Sequence, residues 1–88
     1  MKLKGEFILR EIMGEIIAIP VGDTALGFNG MVCLNPVAYE IWQGLQEGRN
    51  RVQLLEEILE KFDVSREEAV ADLDEFLSRL REAGLLEE

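Results

Sequence analysis

The chain has 88 residues, nine Lys and Arg against eighteen Asp and Glu, and a net charge of −9, a length that suits one domain over residues 1–88 and leaves no room for a second core. With 48% hydrophobic and 31% charged residues it has the composition of a folded protein, and its acidity argues against a nucleic-acid partner. The longest apolar run, Ile16 to Val21, is far short of the roughly twenty residues that span a bilayer, and the single cysteine, Cys33, excludes an internal disulfide.

Phe7 to Met13 and Glu15 to Val21 are β-branched and aromatic runs, expected to pair as a hairpin closed by Gly14-Glu15, a turn of the Gly-X kind. Pro20 near the end of the second run suits a strand end or edge. Gly22-Asp23-Thr24 and Gly27-Phe28-Asn29-Gly30 read as a loop holding Ala25, Leu26 and Phe28. Met31 to Leu34 reads as a third short strand, giving a three-stranded antiparallel sheet over about residues 6–34. Alternation with Val32 and Leu34 makes Cys33 a packed, inert cysteine in this reading.

From Asn35 to Gly84 the apolar period becomes helical. Asn35 caps and Pro36 takes the first position of a helix with the stripe Val37, Ala38, Ile41, Trp42 and Leu45, ending near Gly48. Asn50 with Gln53 forms a capping box ahead of Val52, Leu55, Ile58, Leu59 and Phe62. Ser65 with Glu68 opens the third helix, whose stripe is Ala69, Val70, Leu73, Phe76, Leu77 and Leu80 and whose end is Gly84, with Leu85 placed for a Schellman contact. Trp42 reads as a core anchor, and the third stripe reads first as core, Phe76 least clearly.

The fold class expected is α+β: a winged helix-turn-helix with an N-terminal three-stranded antiparallel sheet followed by three helices over about residues 36–84. That outline often binds DNA. Here the third helix, residues 65–84, carries Arg66, Arg79 and Arg81 against Glu67, Glu68, Asp72, Asp74, Glu75 and Glu82, a balance that repels phosphates. Residues 35–88 together hold six basic and fourteen acidic side chains, the ordinary signature of solvated helix faces.

Catalysis lacks its parts. The chain has no histidine and one cysteine, so zinc and nucleophilic chemistry are without their ligands and bases. Gly27 and Gly30 are turn residues with no Lys-Ser/Thr helix start after them. No enzyme activity, metal or cofactor is expected.

Leu34-Asn35-Pro36-Val37-Ala38-Tyr39-Glu40-Ile41-Trp42, Leu54 through Phe62-Asp63-Val64, and Glu68 through Leu73 and Phe76 to Leu86 resemble, in order and spacing, the PqqD-like family. Phe7 to Glu11 and Phe28 to Met31 sit where that family places similar residues. The resemblance implies a recognition element, free-standing or fused, that binds the leader of a ribosomally made precursor peptide and presents it to a modifying enzyme, often of the radical S-adenosylmethionine type. It implies that the leader adds as a strand beside the third strand and lies against the third helix. The implied peptide-binding residues are Met31, Val32, Cys33 and Leu34 on one wall, and Val70, Leu73, Phe76, Leu77 and Leu80 on the other. Only Arg79 and Arg81 lie on the second half of that helix, so attraction of an acidic leader is not expected to steer binding: the leader relies on apolar anchors, or is basic and uses Asp72, Glu75 and their neighbours. The competing class is a winged-helix adaptor that docks a folded partner without a leader peptide. A cytoplasmic location, no membrane partner and a possible homodimer through exposed strand edges complete the expectations.

Overall fold

Residues 1–27 and 30–87 are described by a computed structural model. In chain order the elements are β1 (Lys2–Leu3), β2 (Phe7–Ile12), β3 (Glu15–Pro20), α1 (Asp23–Gly27), β4 (Val32–Leu34), α2 (Pro36–Gln46), α3 (Arg51–Lys61), α4 (Arg66–Glu82) and β5 (Leu86–Glu87). The α+β expectation holds: β2, β3 and β4 form the three-stranded antiparallel sheet, in that order, and α2, α3 and α4 follow.

The hairpin register runs from Phe7↔Pro20 to Ile12↔Glu15, which moves the turn from the expected Gly14-Glu15 to Met13-Gly14. Both turn residues have positive φ, 52° at Met13 and 84° at Gly14, the signature of the turn whose twist matches paired strands. A methionine is disfavoured there, but its side chain is 98% exposed and meets nothing. Register outranks turn preference because a slip of one residue would send the whole inward set to solvent.

Paired residues share a face. Phe7, Leu9, Ile16, Ala18, Val32 and Leu34 therefore point together, and this face holds the buried residues of the sheet, Ala18 and Leu34, with the other four half-buried. Ile8, Ile12 and Cys33 lie on the other face and are exposed. The packed cysteine is thus corrected: Val32 and Leu34 take the two inward positions of a three-residue strand, so the alternation that suggested packing places Cys33 outward. The strand also begins at Val32, one residue later than expected.

Between β3 and β4 the expected loop contains the short helix α1; Phe28 and Asn29 lie outside the described residues. Thr24 Oγ1 accepts the Glu6 N–H at 2.7 Å, and the Val21 N–H donates to the Glu6 carbonyl at 3.0 Å. These bonds tie α1 to the approach to β2. Leu26 is 87% exposed, so α1 forms without an apolar stripe to announce it.

The three main helices start where their caps stand. Asn35 Oδ1 accepts the Ala38 N–H at 2.8 Å; Asn50 and Gln53 exchange bonds of 2.9 and 3.0 Å; Ser65 Oγ accepts the Glu68 N–H at 3.1 Å. Each such cap contributes about 1 kcal/mol. At the far end of α4, Gly84 adopts φ 75° while its N–H reaches the Arg81 carbonyl at 3.0 Å and the Leu85 N–H reaches that of Leu80 at 2.9 Å, the two bonds of a Schellman end. The reversal delivers Leu85 and Leu86 to the core. β5 then pairs with β1, Leu3 opposite Leu86.

Ala18 and Leu34 from the sheet, Ile41, Trp42 and Leu45 from α2, Leu54 and Ile58 from α3, and Leu73, Leu77 and Leu80 from α4 form one buried cluster. Trp42 is fully buried, and its ring meets Phe7 edge-on at 5.1 Å. Val52 is corrected from the α3 stripe: it is 61% exposed, and Leu54 takes the inward place. Among the described residues, charged links join α2 to α3 and α3 to α4, and tie the α2–α3 connection to α3. Lys61 Nζ donates to Glu40 at 2.5 Å, Arg49 pairs with Glu57 at 2.8 Å, and Arg51 grips Asp74 with both Nε and Nη2. The Lys61 hydrogen bond to Glu40 holds its ammonium above the ordinary lysine value.

α2 and α3 cross closely at Gly44, where an added Cβ would stand 2.4 Å from Leu54 Cδ2. Leu54 is 1% exposed, so its side chain could give way only by shifting its neighbours in the core. Gly44→Ala is therefore expected to destabilise the fold by about 1–3 kcal/mol, although alanine favours the helix by about 1 kcal/mol. Urea denaturation measures the difference; a more stable variant would mean that the crossing can open.

Candidate functional site

β4 is short, with the Asn35-capped start of α2 on one side and Gly30-Met31 on the other. It pairs with β3 alone through Ile16↔Leu34, Ile17↔Cys33 and Ala18↔Val32, and among the described residues no strand takes its other edge. A strand edge offers unpaired N–H and C=O groups in alternation. Here that edge faces a groove whose opposite wall is α4.

Two concavities make up the groove. One lies between Met31 and Val32 of the strand side and Phe76, Arg79, Leu80 and Ala83 of α4, with Leu85 at its end. The other opens at Cys33 and Asn35 above a floor of Val37, Ala38, Ile41 and Phe76, with Asp72, Glu75 and Arg79 along α4. A third hollow behind β4 is lined by Glu15, Cys33, Leu34 and again Arg79. Arg79 thus borders all three, and Phe76 is shared by the first two.

The residues singled out from sequence divide between groove and interior. Met31, 62% exposed, with Val32, Cys33, Phe76 and Leu80, lines the groove. Leu34 is 4% exposed and shows itself only in the third hollow. Leu73 and Leu77 are buried in the core cluster, as is most of Phe76, and Val70 is half-buried against it. None of Val70, Leu73 and Leu77 borders either groove concavity.

The groove face of α4 is instead the stripe Asp72, Phe76, Arg79 and Ala83, whose spacings of four, three and four are those of one helical face. It runs beside the apolar stripe of Leu73, Leu77 and Leu80. Hydrophobicity marks the inner stripe and says nothing of the outer one; the sequence offers Asp72 and Glu75 only as an alternative for a basic leader, and does not place them, Arg79 or Ala83 on the groove. Their visible signal is position: each flanks Phe76, the one apolar residue at the margin of the core stripe. Asp74 on the same helix is engaged with Arg51; Asp72, Glu75 and Arg79 have no ion-pair partner among the described residues.

Among the described residues no three His, Cys, Asp or Glu side chains are grouped to hold a metal ion, and no helix is long and apolar enough to cross a membrane. The geometry therefore offers main-chain pairing along β4 and side-chain hollows toward α4, an arrangement that suits an extended peptide.

Comparison with known proteins agrees with that geometry. Among solved structures, TbiB1 in complex with the TbiA(beta) leader peptide matches with a TM-score of 0.74 at 25% identity, over 99% of this chain and 95% of that one. No curated protein matches the chain by sequence. Residues 7–86, from the first residue of β2 into β5, match the family described as Coenzyme PQQ synthesis protein D, and the chain belongs to that family.

Proposed function

We propose that this chain binds the leader segment of a ribosomally made precursor peptide by strand addition along β4, and presents it to a modifying enzyme without catalysis of its own. The observation that carries this reading is the free edge of β4 standing across a groove from α4. Family membership and the leader peptide named in the matched TbiB1 structure support it. The radical S-adenosylmethionine class is the enzyme we assign to the partnership, on the family resemblance. Met31, Val32, Cys33 and Leu34 supply the strand wall, Phe76 and Leu80 the groove-lining margin of the helix, and Val70, Leu73 and Leu77 the packing behind it.

The energetics are adequate. About four main-chain hydrogen bonds at roughly 0.5–1.5 kcal/mol each and two aliphatic anchors at about 1.5–3 kcal/mol each offset the cost of association. What remains is compatible with a dissociation constant near or below about 1 μM.

An NMR titration of the labelled chain with leader peptides encoded near its gene tests the reading. Saturable shifts concentrated at residues 31–34 and at Phe76, Arg79 and Leu80 are expected. Shifts only with a folded neighbour protein, and none with any leader, would establish the adaptor class in its place.

A further inference from the structure

The two ends of the groove differ in chemistry. At the end near Met31 and Leu80 the walls are aliphatic, completed by Ala83 and Leu85. At the other end an apolar floor of Val37, Ile41 and Phe76 is rimmed by Asp72 and Glu75, with Arg79 at its inner margin. Both carboxylates are exposed and lack an ion-pair partner among the described residues. Arg79 stands one turn beyond Glu75 and separates the two ends; Glu15 adds a further negative charge at the hollow behind β4.

An apolar floor under an acidic rim suits a long aliphatic stem ending in a cation, because the stem buries its methylenes while the charged head stays at the rim in water. An acidic side chain placed there would meet two like charges against the single cation of Arg79, and would desolvate against the floor. We infer that the groove takes a leader segment with a lysine or arginine at the Asp72/Glu75 end and an aliphatic side chain at the Met31/Leu80 end. This rests on strand addition along β4 and adds the side-chain code that selects the leader. Glu75 and Ala83 are eight positions apart on α4, about 12 Å of helix. Side chains of an added strand face α4 at every second residue, about 7 Å apart. The cationic and aliphatic residues are therefore two or four positions apart in the leader.

Random twelve-residue peptides displayed on phage provide the probe. Selected against the full chain, they are expected to share Lys or Arg two or four positions from Leu, Ile, Val or Met. Against the D72K/E75K variant the cationic position is expected to turn to Asp or Glu. Against E56K/E60K, which makes the same change of charge at exposed positions of α3 outside the groove, Lys or Arg is expected to persist. A synthetic copy of the selected peptide is expected to lose at least tenfold in affinity for D72K/E75K and to change less than threefold for E56K/E60K. Peptides that share the aliphatic residue but show no charge preference, or that keep Lys or Arg against D72K/E75K, would overturn the acidic subsite while leaving strand addition standing. Selection of no extended peptide by any of the three proteins would overturn both.

Discussion

Trp42→Ala is expected to lower the stability of the fold by about 3–5 kcal/mol. Trp42 is fully buried, and its ring joins α2 to the first residue of β2 through the edge-on contact with Phe7. Truncating a buried tryptophan to alanine costs about 3–5 kcal/mol, and a chain of this length has a total stability of about 4–13 kcal/mol at the usual 0.05–0.15 kcal/mol per residue. The loss therefore takes between about a quarter of the margin and all of it. Trp42→Phe separates the contributions. The indole Nε1 has no hydrogen-bond partner among the described residues, so phenylalanine breaks no protein hydrogen bond and forfeits ring volume. Its expected loss is less than half that of alanine. Urea denaturation followed by circular dichroism measures both variants; an alanine variant within about 1 kcal/mol of the parent would mean that the ring is not the support it resembles.

The sequence discloses the helical part of the fold well because its signals are local. Asn35-Pro36, Asn50 with Gln53, and Ser65 with Glu68 each cap the helix they announce, and Gly84 ends the last one as its chemistry requires. What it hides is decided at a distance or by competition. The turn at Met13-Gly14 follows from register against β3, and β1 pairs with β5 across nearly the whole chain through strands of two residues each, too short to show a period. Cys33 and Val52 were misplaced for one shared reason. An apolar residue in an apolar stretch is assigned to the core by composition, whereas its face is settled by neighbours that fill the inward positions first. The same limit governs the groove. Phe76 was visible as an apolar residue at the margin of a stripe, but Asp72, Glu75 and Arg79 acquire meaning only when β4 is brought across from α4. Charge on a helix reads as solvation until the opposing wall is known.

Strand addition makes a sharp demand on β4, and two proline substitutions test it. Successive N–H groups of a strand point to opposite sides, so of Val32 and Cys33 one donates into the ladder with β3 and the other faces the open edge. Val32→Pro and Cys33→Pro, made separately, are expected to behave oppositely. The variant whose missing donor belonged to the β3 ladder loses stability, because proline within a paired edge removes a ladder bond. The variant whose missing donor faced the groove keeps its fold within about 1 kcal/mol, since an edge tolerates proline on its open side. That second variant loses the leader: one hydrogen bond is worth about 0.5–1.5 kcal/mol, and the pyrrolidine ring occupies the space of the incoming strand, so affinity falls tenfold or more. Denaturation and calorimetric titration with the same leader peptide read the two effects apart. If both stable and unstable variants bind the leader as the parent does, the peptide does not pair with β4, and the hollows along α4 hold it by side chains alone.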